Sequence, residues 1–401
     1  MPSAVAPEPA TPAPPAAPAP PAAPPAAPPA AAEPPLPASA AASEPAPSDA
    51  PAEKKKEKEG RGGPGTDDER TGSGITFGAR LMAGFEYESE HSAGAQPPSD
   101  SSDYGIEVRQ IRLSASGDLA ELFRVSVSFD LSDALSPELG TDYDSPPYLR
   151  TASVEYRPSR AFRLRVGRFK RPLSHLELTS ASDLPILRRG LFNGLALEDN
   201  QWGDRAVGAM ASGRISAPKL RWALSVMNPD WTANDDVRRK GVDVIGRVEW
   251  TVLKGLVLGA NAAYKNLENG DDRVSAVAYG GDLTYKLGDA NFLLESNSAP
   301  RVITDPETRP RALGVLFMVD YELPLNATWS LQPTVFAEYA DADTGVLQNE
   351  SLRLAFGLNL LGYDGFRIMP QVDLVRSIGD TGADNPWLES TTLSLIFSLV
   401  L

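Results

Sequence analysis

Hydrophobic and polar positions alternate along the last eleven residues of the chain, 391–401. One parity is hydrophobic and consists of Leu393, Leu395, Phe397, Leu399 and Leu401. The other parity is mostly small and polar, with Thr392, Ser394 and Ser398. Successive side chains of a β-strand point to opposite faces, so this spacing predicts a strand with one apolar and one polar face.

The same alternation recurs from residue 75 to the C-terminus and predicts an all-β chain. Sixteen segments carry it: 75–87, 105–117, 123–130, 150–157, 161–169, 205–215, 220–227, 242–252, 256–265, 274–286, 291–296, 312–322, 331–340, 352–361, 366–376 and 391–401. An even number of antiparallel strands allows a closed barrel with both chain ends on the same side.

The lengths of the connections are a second indication of a barrel. Short connections, such as 118–122 and 158–160, alternate with long ones, such as 131–149 and 170–204. Outer-membrane barrels have short periplasmic turns and long outer loops. Residues 74–401 are therefore predicted to form a transmembrane antiparallel β-barrel of about 16 strands in the outer membrane of a Gram-negative bacterium. Because so many strands enclose a wide lumen, the polar parity should line water and the apolar parity should face lipid.

Residues 1–73 have a different composition. The first 51 residues hold 19 of the 37 prolines, interleaved with alanine. Proline lacks the N–H group and clashes inside helices, so we expect a disordered Pro/Ala-rich and charged linker. It should lie in the periplasm, either without a partner or in contact with the cell wall. The first ten residues lack the basic start and apolar core of a secretion signal, so we expect an upstream start or a processed form.

Composition limits the chemistry. The chain has no cysteine, two histidines and a net charge of −15. Thiol chemistry and thiolate metal sites are thereby excluded, and a histidine-based zinc site or catalytic triad has few candidate residues. An acidic balance argues against a nucleic-acid partner. We expect no cofactor, no metal site and no catalytic residues.

The stretch 167–189 reads GRFKRPLSHLELTSASDLPILRR and begins the longest connection, 170–204. Its features are the Gly-Arg-Phe-Lys start with Pro172, the run 177–180, Asp183 with the following leucine and arginine, and then Gly-Asp-Arg at 203–205. With the surrounding barrel pattern over about residues 75–401, this stretch resembles the phosphate-selective porin O and P family. The resemblance implies an outer-membrane channel for anions such as phosphate, and a homotrimer. In sixteen-stranded porins the corresponding loop folds inward, so 170–204 should narrow the pore.

Basic side chains are the candidates for an anion pathway, since cationic rings lower the cost of removing water from an anion. Arginine suits phosphate because its planar fork binds two oxygens. The candidates for the constriction are Arg163, Arg165, Arg168, Lys170, Arg171, Arg188 and Arg189. Further candidates for the lumen are Arg112, Arg124, Arg214, Arg247, Arg353 and Arg367.

Acidic residues on the same parity leave alternatives open. They are Glu155, Asp243, Glu249, Asp282, Glu295, Asp320, Glu338 and Asp373. They nearly balance the arginines, so an unselective general porin is one alternative, and only the basic loop favours anions. A barrel-based outer-membrane enzyme or adhesin, with Ser174 and His175 as a reactive pair, is another. A soluble β protein is a third. The expected partners are outer-membrane lipid, lipopolysaccharide and small anions.

Overall fold

A computed structural model describes residues 74–92, 99–132, 149–229, 241–269, 272–302, 308–362, 365–378 and 389–401. The predicted linker 1–73 lies outside these ranges. The strands are β1 (Ile75–Ser92), β2 (Ser99–Leu119), β3 (Phe123–Asp130), β4 (Leu149–Tyr156), β5 (Arg163–Lys170), β6 (Arg205–Ile215), β7 (Leu220–Met227), β8 (Gly241–Leu253), β9 (Leu256–Asn269), β10 (Asp272–Leu287), β11 (Ala290–Pro300), β12 (Arg311–Tyr321), β13 (Leu323–Pro324), β14 (Ser330–Asp341), β15 (Glu350–Leu361), β16 (Arg367–Ile378) and β17 (Glu389–Val400).

The strands form one closed antiparallel barrel, as predicted. Each strand pairs with its neighbours in chain order, and β1 closes the wall by pairing with β17 from Arg80 opposite Val400 to His91 opposite Glu389. The two-residue β13 follows β12, and both pair with β14, so the barrel has sixteen strand positions. None of the helices in the described ranges is long and apolar enough to cross a membrane.

The apolar parity faces outward. On β17, Leu395 and Phe397 are 40 % and 46 % exposed, whereas Ile396 between them is fully buried. Aromatic pairs lie at the end of the barrel that carries the short turns, where amphipathic rings typically meet the membrane–water interface. The ring centroids are 5.1 Å apart for Phe123 and Tyr156, 6.3 Å for Tyr285 and Phe292, and 6.1 Å for Trp329 and Phe366.

Two connections between predicted strands, 88–104 and 266–273, are instead mostly paired strand. The β1–β2 hairpin is paired up to Ser92 opposite Ser99, and β9 pairs with β10 up to Asn269 opposite Asp272. The apolar alternation ends earlier in both hairpins. Backbone hydrogen bonds do not depend on an apolar row, so the strands continue with polar side chains beyond it.

Candidate pore constriction

The segment between β5 and β6, residues 171–204 and here called the inner segment, lies against the inside of the wall. It contains α1 (His175–Leu178) and a π-helical turn (Asn193–Glu198). Its apolar side chains pack on inward-facing apolar residues of β7–β12, β14 and β15. One cluster joins Leu173, Phe192, Leu195, Leu197 and Trp202 to Met227, Ile245, Ala263, Ala278 and Ala312. A second cluster joins Leu176, Leu184 and Ile186 to Leu293, Leu316, Met318, Phe336 and Ala355.

This packing explains why the inner segment lies on that part of the wall. Full burial of one Leu or Phe side chain contributes about 1.5–3 kcal/mol, and several are buried here. Gly314 of β12 allows a close approach, since a Cβ there would lie 2.5 Å from the Cβ of Phe192. Larger side chains at this position would push the segment away from the wall.

Two buried wall carboxylates bind the backbone of the inner segment. Glu295 of β11 accepts hydrogen bonds from the N–H groups of His175 and Leu176, at 3.0 and 2.9 Å. Glu338 of β14 accepts those of Leu191 and Phe192, at 2.7 and 3.0 Å. N–H groups at the start of a helical turn have no intrahelical acceptor. The carboxylates supply one.

A buried ion pair fixes the beginning of the inner segment. The Arg171 guanidinium donates to the Asp243 carboxylate at 3.1 Å and to the carbonyls of Gln201 and Gly203 at 2.7 and 2.9 Å. Lys265 of β9 donates to the same Asp243 carboxylate at 2.8 Å. Arg171 is completely buried, so it holds the two ends of the segment together rather than facing the lumen.

The inner face of β1–β7 is basic. Arg112 lies within electrostatic range of Arg150 and Arg189. Arg80 interacts in the same way with Arg112, and Arg205 with Arg150 and Arg112. Two acids lie among them, Asp130 at 2.9 Å from Arg112 and Asp204 at 3.1 Å from Arg205. The inner segment reaches this face at β1, where Arg80 donates to the Ser180 hydroxyl at 3.0 Å.

A cavity of about 370 Å³ opens on this basic face. Seven basic side chains and two acidic ones line it, namely Arg163, Arg165, Lys170, Arg205, Arg214, Arg221, Arg247, Glu155 and Glu249. The Glu155 carboxylate alone serves three guanidinium groups: it is 2.6 Å from Arg157, 3.8 Å from Arg163 and in contact with Arg165. The cavity therefore carries a local excess of positive charge.

A second cavity, of about 440 Å³, shares Arg221 and Glu249 with the first but has mixed charge. Its ionisable lining residues are His175, Asp183, Arg221, Glu249, Lys286, Asp320, Glu322 and Arg367. Acids and bases nearly balance there, so the excess of positive charge is confined to one side of the lumen.

Two ionised side chains of the inner segment are held in the charged form. Burial alone would raise the pKa of Asp204, but Arg150 and Arg205, at 4.0 and 3.1 Å, hold that pKa below its usual range. Burial alone would lower the pKa of Arg188, but Glu86 and Glu88 of β1 outweigh it and raise the pKa. Both groups are therefore charged at neutral pH.

The structure brings several predicted residues to the open lumen. Arg163, Arg165, Lys170, Arg214 and Arg247 line the basic cavity, although Arg247 is nearly buried and lies 2.8 Å from Asp282. Arg112 lies on the neighbouring surface, and Arg189 donates to the carbonyls of Leu176 and Thr179 at 3.3 and 3.0 Å. Arg188 forms ion pairs with β1, and Arg124 of β3 donates to Ser116 at 3.3 Å.

Other predicted residues lie elsewhere. Arg353 is buried, with Asp373 and the Arg188 carbonyl as partners at 2.8 and 3.2 Å. Arg367 is also buried and donates to the Leu184 carbonyl at 3.4 Å. Like Arg171, these two arginines bind the inner segment to the wall. Arg168 lies opposite Ala152 and Val207, on the outward parity of β5.

Three basic residues of this surface, Arg80, Arg150 and Arg205, were not among the candidates. Arg80 lies on the polar parity of β1, so the alternation of apolar and polar residues could have identified it as a candidate. Arg150 sits where the pairing skips a residue, since Ser128 is opposite Thr151 and Phe129 is opposite Leu149. Because such a bulge adds a residue to one strand, simple alternation no longer predicts on which face a side chain lies. Within the described ranges, no group of three or more histidine or acidic side chains is placed to hold a metal ion.

Comparison with known proteins gives the family and the fold. The profile of the family described as phosphate-selective porin O and P matches residues 81–288. No curated protein sequence matches the chain.

Three solved structures show a similar fold, each covering 82 % of this chain. The outer membrane channel DcaP of Acinetobacter baumannii has 9 % identity, a TM-score of 0.56 and 97 % of its own chain covered. The trimer form of OmpT, an outer membrane protein of Vibrio cholerae, has 11 % identity, a TM-score of 0.53 and 99 % of its own chain covered. OprB of Pseudomonas putida has 12 % identity, a TM-score of 0.52 and 94 % of its own chain covered. At such identities the likeness concerns the fold alone. The family profile covers more than half of the chain, which therefore belongs to the phosphate-selective porin O and P family.

Proposed function

We propose that the protein is an outer-membrane porin through which small hydrophilic solutes diffuse, with a preference for anions such as phosphate. Family membership and the closed barrel support a porin. The anion preference rests on one observation, the basic cavity with seven basic and two acidic lining side chains. We further propose that the short turns and the linker 1–73 lie in the periplasm.

The distribution of charge supports this preference better than the total charge does. Three wall acids of β8–β16 are engaged elsewhere. Asp243 pairs with Arg171, Asp373 pairs with Arg353, and Glu338 binds backbone N–H groups. The arginines of β1–β7 outnumber their acids. A passing anion would replace part of its hydration shell with guanidinium groups already held in place, which lowers its barrier.

The experiment is the reversal potential of the purified protein in a planar bilayer under a KCl gradient. An anion-selective potential is expected. The double variant R163Q/R165Q should shift it toward cations, and E155Q should shift it further toward anions because it removes the negative charge that three guanidinium groups share. Glu121→Gln, in a short turn, is the matched control and should change nothing. A cation-selective potential in the unmodified protein would refute the preference and leave the unselective general porin.

The inner segment also bears on the enzyme alternative. The Ser174 hydroxyl caps α1 by accepting a hydrogen bond from the Glu177 N–H at 3.1 Å, and Ser174 is buried. A hydroxyl used in this way is a structural group, so we propose that the protein has no catalytic role. Lipid hydrolysis by the purified protein that is lost in His175→Ala would contradict this proposal.

We also propose a homotrimer. One of the structures with the same fold is described as a trimer form, and the outer surface of β1, β2 and β17 is apolar, with Leu81, Phe85, Leu113 and Phe397 exposed. Mass measurement of the detergent-solubilised protein by light scattering tests the proposal. A monomeric mass would overturn it without affecting the barrel or its conductance.

A further inference from the structure

An outward-facing recess of about 220 Å³ lies on β10–β12, at the end of the barrel opposite the short turns. Its lining residues are Tyr279, Ser296, Ser298, Arg311, Leu313 and Thr344. We propose that this recess binds a phosphate group of a phosphorylated glycolipid in the outer leaflet of the membrane. The proposal rests on the proposed outer-membrane orientation, because only that orientation places the recess among such headgroups.

The register places these side chains on the outer surface. Tyr279 lies opposite Ser298 on the neighbouring strand, and Arg311 begins β12 opposite Pro300. The same parity carries Val277, 45 % exposed, and Leu294, 47 % exposed. The recess therefore belongs to the lipid-facing wall and is separate from the lumen.

Arg311 is held in position by neutral groups. Its guanidinium lies 5.4 Å from the centroid of the Tyr279 ring. It donates to the Ser298 hydroxyl at 3.2 Å and to the Val277 carbonyl at 3.0 Å. Among the residues that the structure describes, no carboxylate is within ion-pair distance of Arg311. An arginine oriented by neutral groups in this way can bind a ligand that brings its own negative charge.

The chemistry of the recess fits a phosphate monoester. A guanidinium binds two phosphate oxygens with its parallel N–H groups, and the Ser296 and Thr344 hydroxyls add neutral donors beside it. Stacking on Tyr279 reduces the entropy that Arg311 would lose on binding. Val277, Leu294 and Val315 provide an apolar surface next to the recess. A ligand with a phosphate head and acyl chains would use both features.

The experiment is a titration of the full-length protein in detergent with fluorescent diphosphoryl lipid A. The unmodified protein should bind it, and lipid A without phosphates should bind about tenfold more weakly. Arg311→Gln should bind diphosphoryl lipid A more weakly by the same factor, and Arg311→Lys should recover part of the affinity. Arg376→Gln is the control, because Arg376 is another outward-facing arginine, held by the Val375 and Ser390 carbonyls at 2.7 and 3.0 Å.

Three results would overturn the proposal. They are equal binding of the two lipids, unmodified affinity in Arg311→Gln, and displacement of the lipid by millimolar inorganic phosphate, which would assign the recess to the free anion. Conductance of the same samples separates this proposal from the porin proposal. Arg311→Gln should keep the parent conductance and reversal potential because its side chain lies outside the lumen.

Discussion

The Arg171 guanidinium and the Asp243 carboxylate form an ion pair 3.1 Å long, and both side chains are almost completely shielded from solvent. Removal of one partner of a buried pair typically costs about 3–5 kcal/mol, because the other charge remains uncompensated. Here Lys265 remains beside Asp243, so the lower end of that range applies. The pair joins the inner segment to β8 and contributes nothing to the strand ladder.

Arg171→Met should therefore loosen the inner segment while the barrel stays closed. We expect a larger and noisier single-channel conductance, and faster tryptic cleavage after Arg188 or Arg189. Lys219→Met, in an exposed short turn, should behave as the unmodified protein does. Unchanged conductance and unchanged protease resistance in Arg171→Met would show that the apolar clusters alone hold the segment.

Glu338 binds two backbone N–H groups of the inner segment through its two carboxylate oxygens. Glu338→Gln should therefore lose one of these bonds, because an amide nitrogen cannot accept a hydrogen bond. Hydrogen exchange at Leu191 and Phe192 should accelerate about tenfold, which corresponds to about 1.4 kcal/mol. Exchange at Val335 on the same strand should not change, because its amide belongs to the strand ladder. Glu322→Gln, at the short-turn end, is the matched control. Equal protection of Leu191 and Phe192 in Glu338→Gln would mean that the carboxylate does not stabilise the turn.

Asp204 gives a pH dependence with a definite sign. Its pKa is held below the usual aspartate value of about 3.9, so its negative charge persists as the pH falls from 7 to about 4 and is lost only below that. Asp204→Asn removes the charge at every pH. The variant should be more anion-selective than the parent from pH 7 to about pH 4, and the difference should vanish at lower pH. A difference that vanishes already near pH 6 would show a raised pKa instead.

The direction of the side chains on β17 can be tested by inserting a charge. Leu395 points outward and Ser394 points inward, where its hydroxyl donates to Glu86 at 2.9 Å. Leu395→Arg should destabilise the folded barrel in lipid by about 2–4 kcal/mol, the cost of a basic residue on the lipid face near the bilayer midplane. Ser394→Arg should cost less because Glu86 can pair with it. The measurement is urea-driven unfolding in vesicles, and equal costs would contradict the assignment of faces.

The barrel could be predicted from the sequence because its signal is local and repeated. The alternation of Leu393, Leu395 and Phe397 with Thr392 and Ser394 is sufficient to give both the strand and its two faces. The ends of the strands were harder to predict from the sequence. Glu90 and Ser101 pair in the β1–β2 hairpin beyond the apolar row, where nothing in their polarity distinguishes a strand from a loop.

The arrangement of the inner segment could not be predicted, because it depends on contacts between residues far apart in the chain. The sequence does contain one sign of this arrangement, in apolar residues at inward positions. Ile245, Leu293 and Phe336 occupy inward positions that a water-filled lumen would leave polar, and they receive the apolar residues of the segment. Their presence distinguishes the covered wall from the open one.

The same limitation explains the roles of the arginines. Arg165 and Arg353 look equivalent in sequence, since each lies on the polar parity of a strand. Arg165 lines the basic cavity, and Arg353 is buried beneath the inner segment with Asp373. Counts of arginines and acids by parity could not separate a lumen-facing charge from one that fastens a loop.

Pairing of β1 with β17 joins the two strands that are farthest apart in sequence. It does so through twelve residue pairs, from Arg80 with Val400 to His91 with Glu389. Loop-closure entropy grows with the length of chain enclosed, so this seam is the most expensive contact to form. Until it forms, both strands present unpaired N–H and C=O groups that would template association with other chains. Insertion of this protein into a membrane therefore requires that its two terminal strands be shielded from lipid and from other chains until they meet.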